Sequence, residues 1–401
     1  MMHVNSIFSN NRRNFSFGYF SWIWILLSLN ACQFLQKTQK NSENLLIYRT
    51  CDYLWNQQAA DGGWHSTKHG ILKSGQAYTP FVLTYLMEVP DSLYPKTPEK
   101  IQHALQFIRK HCKPEGIVGL SDPDILEYPN YATAFALRVL IRNGDDQDQE
   151  LIQKMIQYLL DQQFDESRDI PPGHPAYGSW GFGETNLSGG FVGHADLSHT
   201  RRVLEALREA GLEKDSAFYK VRSFLKIVQN HPSSKPDSLK ERTQKLYDGG
   251  FYYSPIVTGA NKGELAGDSD EKNPHYRSYA TATADGLLAS LASAYSPTEA
   301  PVKDALNWLR RNPTWDYPQG IPEESPAQWH QVLVLYHLSV RAEAYRAVNE
   351  PGSWKSTLKN ILKQKQQQDG SFANPQGARN KENDPILGSA LALKALLCTL
   401  N

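Results

Sequence analysis

Cysteine is scarce in this chain. Four occur in 401 residues, at positions 32, 51, 112 and 398, and no two of them form a C-x-x-C pair. Neither a disulfide framework nor a zinc cluster is expected from such spacing, and no metal or cofactor is implied. Cys51 and Cys398 lie in apolar, helix-like stretches, where a thiol behaves as a small buried hydrophobe. An excess of charge of one sign is missing too. Lys plus Arg and Asp plus Glu number 42 each, which speaks against the basic face or stripe of a nucleic-acid binder. Long apolar runs stop after residue 32, so no later segment is expected to span a bilayer, and no strand-like alternation competes with helical periodicity. What is present is 40% hydrophobic residues, with aromatics at 11%, enough to fill a core and too much for a disordered chain.

The N-terminus reads as a leader rather than as fold. Arg12 and Arg13 precede the apolar run "FSFGYFSWIWILLSLNAC", the layout of a basic n-region and an apolar h-region. "LNAC" resembles a bacterial lipobox, with Leu29 three residues before Cys32 and Ala31 directly before it; Asn30 departs from the small residue usual there. The resemblance implies a signal over residues 1–31, lipidation of Cys32, a tether over 32–41 and a folded domain over 42–401, held at the bacterial cell envelope. An uncleaved membrane anchor is the other reading, and it too places the domain outside the cytoplasm.

One phrase recurs along the domain. "LWNQQAADGGW" and "LKQKQQQDGSF" each carry a leucine (Leu54, Leu362), a glutamine four residues on (Gln58, Gln366), then Asp-Gly and an aromatic ring (Trp64, Phe372). Leu159 with Gln163, Gly178 and Trp180 repeats it around an insertion, as does Leu225 with Gln229, Asp248, Gly249 and Phe251. A worn copy keeps Ile108, Gly116 and Val118 but has Cys112 for the glutamine, and the weakest keeps only Leu309 and Trp315. The segments before each turn are amphipathic; those after it, such as "SYATATADGLLASLASAY", are rich in Ala and Leu on more than one face, as helices buried on both sides are. Asp196 and Asp384 stand where N-caps belong, and Thr79-Pro80 reads as a helix start. A hairpin of this kind cannot bury its apolar face alone, so neighbours must stack. Six hairpins closing into a ring give an all-α (α/α)6 barrel, apolar helices inside and charged helices outside.

The repeat resembles the QW-type repeat shared by squalene and oxidosqualene cyclases and by the beta subunits of protein prenyltransferases. It covers nearly the whole domain and implies a barrel of six inner and six outer helices. Glycine permits the left-handed turn, and the ring packs back over the helix end. The motif therefore identifies a fold and performs no chemistry.

The family's chemistry is another matter. Alkene-protonating cyclases resemble one another at D-x-D-D-T-A, and the matching stretch here is "DLSHTRRVLEAL". Asp196 falls on the first aspartate and Thr200 on the threonine, but Ser198 stands at the acid and His199 next to it. A serine hydroxyl cannot protonate an alkene. "GDSDEKN", with Asp268, Asp270 and Glu271, sits in a polar loop where carboxylates stay ionised, and the Asp-x-Cys zinc motif of the prenyltransferases is absent. The remaining polar and aromatic candidates for a cavity are Tyr131, Thr133, His194, Asp196, Ser198, His199, His275, Tyr279, Thr283, Asp285, Trp329, His330 and Asp384. Of these, Asp196, Ser198, His199, Asp285, His194 and His275 could carry acid, base or polar roles; Tyr131, Tyr279, Trp329 and His330 could contact ligand. The expected ligand is an apolar or polyprenyl-like molecule or an envelope partner. Two alternatives stand beside it: a carbohydrate-active enzyme on an envelope polysaccharide, with Trp180, Trp329, Tyr252 and Tyr253 as platforms, and a structural lipoprotein scaffold.

Overall fold

The computed structural model describes residues 44–120, 122, 125–183, 192–231, 247–265 and 276–400. The chain divides into two units, Met1–Leu45 and Leu46–Asn401, and the second carries the fold. Helices alternate in two classes. The outer class comprises α1 (residues 44–56), α3 (Pro98–His111), α5 (Gln149–Asp161), α7 (Ala217–Val228), α9 (Ala300–Arg311) and α12 (Trp354–Lys365). The inner class comprises α2 (Tyr78–Met87), α4 (Pro129–Asn143), α6 (Leu197–Glu209), α8 (Ala280–Ala292), α11 (Val334–Ala347, preceded by the single turn α10, Trp329–Val332) and α13 (Pro385–Cys398). Among the described residues, extended pairing is limited to isolated bridges.

Sequence explains the two classes. In α9, Val302, Ala305, Leu306 and Leu309 are buried, the i, i+3, i+4, i+7 stripe of a helix with one face on the core. In α8, residues Ala280 through Ser290 are buried without interruption, so small side chains must let neighbours approach from both sides. The inner helices pack in succession, α2 on α4, α4 on α6, α6 on α8, α8 on α11, α11 on α13 and α13 back on α2. This is the closed ring that the repeat implied, with the outer helices packed against it.

The turn motif fastens three elements at once. Trp64 Nε1 donates to Leu54 O at 2.6 Å and Trp180 Nε1 to Leu159 O at 2.7 Å, closing each ring over its own helix end. The glutamines donate both to their own turn and to the start of the next outer helix: Gln58 to Gly62 O and Lys100 O, Gln163 to Gly178 O and Ala217 O, Gln229 to Gly249 O and Pro301 O. Gln366 does the same across the seam, reaching Gly370 O, Leu46 O and Thr50 Oγ1. In the weakest copy, the Leu309 carbonyl receives the Arg341 guanidinium at 2.7 Å, where Trp64 and Trp180 donate in theirs.

The third fastening corrects three readings. The backbone N–H of each turn aromatic, or of Val118, donates to a hydroxyl on the following inner helix: Thr79, Thr133, Thr200, Thr283 or Ser389, at 2.9–3.1 Å. Thr133 and Thr283 are therefore spent on the repeat and do not face a cavity. Thr200, matched to the cyclase motif, has the same duty. Thr79 is not an N-cap, because α2 already begins at Tyr78 and the hydroxyl is turned to Trp64. The helical stretch from Trp329 to Ala347 breaks at Leu333, where the buried Glu382 carboxylate accepts from the N–H groups of Leu335 and Tyr336, both at 2.8 Å.

Candidate functional site

The first turns of all six inner helices surround one cavity of about 390 Å³. Tyr78 and Phe81 come from α2, Tyr131 from α4, Ser198 and His199 from α6, Thr281 from α8, Trp329 and Tyr336 from α10 and α11, Leu387 and Leu391 from α13. Loops add Leu72, Tyr128, Phe182, His194, Tyr253, Lys262, Tyr279 and Lys381. The walls are mainly rings and aliphatic chains. Asp196, Ser198, His194, His199, Lys262, Arg379, Asn380 and Lys381 supply the polar groups among them, a mixture usual for a small-molecule site.

Asp196 organises the polar side. It is the N-cap of α6, 1% exposed, and accepts from His199 N at 2.9 Å, from His199 Nδ1 at 2.9 Å and from Ser198 Oγ at 3.2 Å. His194 Nε2 lies 3.1 Å from its second oxygen. Burial works against ionisation, but the imidazoles of His199 and His194 outweigh it and hold the carboxyl well below the usual range. Phe182 stacks on His194 at 4.0 Å and meets His199 at 4.7 Å, while Tyr131 meets His199 edge-on at 5.6 Å. Across the cavity, Lys262 Nζ sits 3.9 Å over the Trp329 ring and donates to Gly259 O at 2.8 Å. Burial draws this ammonium down to about 8.

Solved structures share this arrangement of helices. The apo type II terpene cyclase MstE from Scytonema superposes with a TM-score of 0.52 at 14% identity, over 89% of this chain and 97% of that one. A variant of MstE in complex with geranylgeranyl dihydroxybenzoate as substrate gives 0.51 at 14%, over 90% and 97%. A protein from Actinoplanes gives 0.50 at 15%, over 89% and 99%. This chain has the helical toroid fold seen in the type II terpene cyclase MstE. No protein-family model matches it, and no curated protein matches it in sequence. Identity this low establishes the toroid and leaves the chemistry to the residues.

Ser198, which the sequence resemblance sets against the cyclase acid, lines the cavity and hydrogen-bonds Asp196. Asp196 cannot take over the acid's duty, since it is held ionised. Asp285 lies outside the cavity wall. It is fully buried and bonded to Arg201 Nη1 at 2.9 Å and Tyr336 OH at 2.6 Å. Burial raises its pKa and Arg201 only partly restores it. Arg201 also reaches Glu205 at 2.7 Å and Glu343 at 2.6 Å, and Arg202 reaches Glu205 at 3.0 Å. Further along the axis, Arg138 binds Glu209 at 2.9 Å and Lys394 binds Glu88 at 2.7 Å. A chain of ion pairs thus runs through the barrel interior beyond the cavity and lines a second cavity of about 960 Å³ at the far end.

The sequence candidates therefore separate. His194, Asp196, Ser198, His199, Tyr131, Tyr279 and Trp329 meet at the cavity. His330 does not; it is buried beside Tyr317, with rings 6.4 Å apart, because α10 turns it to the opposite face from Trp329. Asp384 caps α13 and accepts from Ser66 Oγ. Trp180 and Tyr252 are buried and cannot be sugar platforms, since Trp180 is consumed by its turn. His275 and the Asp268–Glu271 loop lie outside the described residues, as does Cys32. Missed by sequence were Phe182 and Lys262, both in loops, and Arg201, Arg202, Glu205 and Glu343. The last four carried a signal: charges on inner helices, "RRVLEAL" and "SVRAEAY", which have no solvent-facing side to put them on.

Proposed function

We propose that the cavity binds an apolar, polyprenyl-like ligand and does not protonate it. The observation that carries this is the aromatic cavity itself, with an ionised Asp196; the sequence resemblance adds a serine, Ser198, in place of the cyclase acid. The substrate complex of MstE supports the ligand class by analogy of fold. The cavity walls speak against a carbohydrate, which needs paired carboxylates along an open cleft. Organic extraction of the purified protein, followed by mass spectrometry, should release an isoprenoid or similar lipid. Squalene and oxidosqualene should be returned unchanged after incubation. Recovery of a cyclic triterpene would overturn the second half of the reading, and a protein that neither carries nor binds lipid would overturn the first.

The same proposal places the domain at the bacterial envelope on a lipidated Cys32, and its support is the leader pattern in the sequence. Cys32→Ser should abolish lipid attachment and release the protein from the membrane fraction. Membrane association that survives both the substitution and an alkaline wash would point to an uncleaved anchor.

A further inference from the structure

We propose that His199 is the polar anchor for a ligand hydroxyl, so that the cavity takes a lipid ending in an alcohol or phenol in preference to a plain hydrocarbon. The inference rests on the cavity being a lipid site and names the head group that site selects. His199 is 7% exposed and lines the cavity. Its Nδ1 is committed to Asp196 at 2.9 Å, whereas its Nε2 is buried with no hydrogen-bond partner. A buried polar atom left unpaired is costly, and native structures rarely keep one without a use. With Nδ1 facing Asp196, Nε2 is the ring nitrogen left to meet a ligand, and a hydroxyl satisfies it either as donor or as acceptor. Phe182 and Tyr131 pack on the ring and fix its direction.

Nε2 restricts the head group. A hydrocarbon offers it neither a donor nor an acceptor, while an O–H offers both. A cationic donor would meet Lys262, which already occupies the Trp329 face. Asp196 does not compete for the ligand, because its two oxygens already receive His199 N, His199 Nδ1, Ser198 Oγ and His194 Nε2. A hydroxyl at the head of an apolar chain meets this atom.

Farnesol and farnesene test this, since they share a chain type and only farnesol carries an O–H. Binding is followed by tryptophan fluorescence, with Trp329 in the cavity wall as reporter. The unmodified protein should bind farnesol about tenfold more tightly, the worth of one hydrogen bond to an otherwise unpaired buried nitrogen. His199→Phe should erase that preference and keep farnesene affinity. Equal binding of the two by the unmodified protein, or a preference that persists in His199→Phe, overturns the anchor and leaves the lipid site standing. Failure of either molecule to bind overturns both. If His199→Phe does not fold, the unmodified protein with isotopically labelled histidine decides by NMR. The His199 Nε2 resonance should move with farnesol and stay with farnesene, and an unmoved resonance with bound farnesol overturns the anchor.

Discussion

Glu382 shows what one buried carboxyl does to this fold. It is wholly enclosed, accepts from the N–H groups of Leu335 and Tyr336, and receives Asn374 Nδ2 at 3.2 Å. Burial pushes its pKa up to about 7, against an ordinary 4.5, and those donors only partly offset the burial. The folded chain therefore holds this proton more tightly than the unfolded one. Its contribution to stability is full below about pH 4.5 and fades as pH climbs through about 7, by on the order of 3 kcal/mol. Urea denaturation of the unmodified protein and of Glu382→Gln across that range should show the slope in the first and a flatter profile in the second. Parallel profiles would place the pH response elsewhere. At this scale the site was partly legible. Asp196, Ser198 and His199 could be picked out because a motif fixes their register on one helix. Lys262 and Phe182 could not, since loop residues reach a cavity through folding that no period records. His330 was misplaced for a related reason: the break at Leu333, imposed by Glu382 from some fifty residues away, sets which face of α10 meets the cavity.

Among the elements, the turns are the parts most exposed to substitution. Gly62 has φ +91°, and a Cβ there would lie 2.3 Å from His103 O; Gly370 has φ +91°, with Arg49 O at 2.4 Å. Both the left-handed backbone and the close approach of the next outer helix exclude a side chain. Gly62→Val and Gly370→Val should each lose about 2 kcal/mol or more. Gly70, with a negative φ and nothing within 4 Å of a built Cβ, should accept Ala with little change. Thermal melts of the three variants check the contrast, and an undiminished midpoint in Gly62→Val would refute the fastening argument. The turns are also why the architecture was readable before any coordinates. Their leucine, glutamine and glycine recur at fixed spacing and each has a local partner. The hydroxyls on the inner helices were harder to place. Thr133, Thr200 and Thr283 look like any polar residue near a cavity until the turn N–H that binds each one is seen.

For the whole molecule, ring closure rests on the pair α12 and α1, joined by Gln366 to Leu46 and Thr50 and by Arg49 to Gln367 O at 3.1 Å. The interior ion chain explains how a barrel of mostly small-residue helices can carry so many charges. Each guanidinium meets several carboxylates, which is what makes burial of such groups tolerable. The closed ring was foreseeable from six repeats, but the charged interior was not, because partners such as Arg201 and Glu343 lie 142 positions apart. One consequence of the inner ring concerns electrostatics beyond any single contact. All six inner helices present their first turns to the cavity and their last turns to the opposite end, so their peptide dipoles point the same way. Each leaves about half a positive charge at its N-terminus, and the six sum rather than cancel. The capping carboxylates Asp196, Asp384 and Glu382 stand at that positive pole, while at the negative one Arg138, Arg142, Arg208, Arg346 and Lys394 outnumber Glu88, Glu205, Glu209 and Glu343. The cavity thus lies in a standing field that favours electron-rich groups, and any ligand with a polar end has a preferred direction of entry before it touches a side chain.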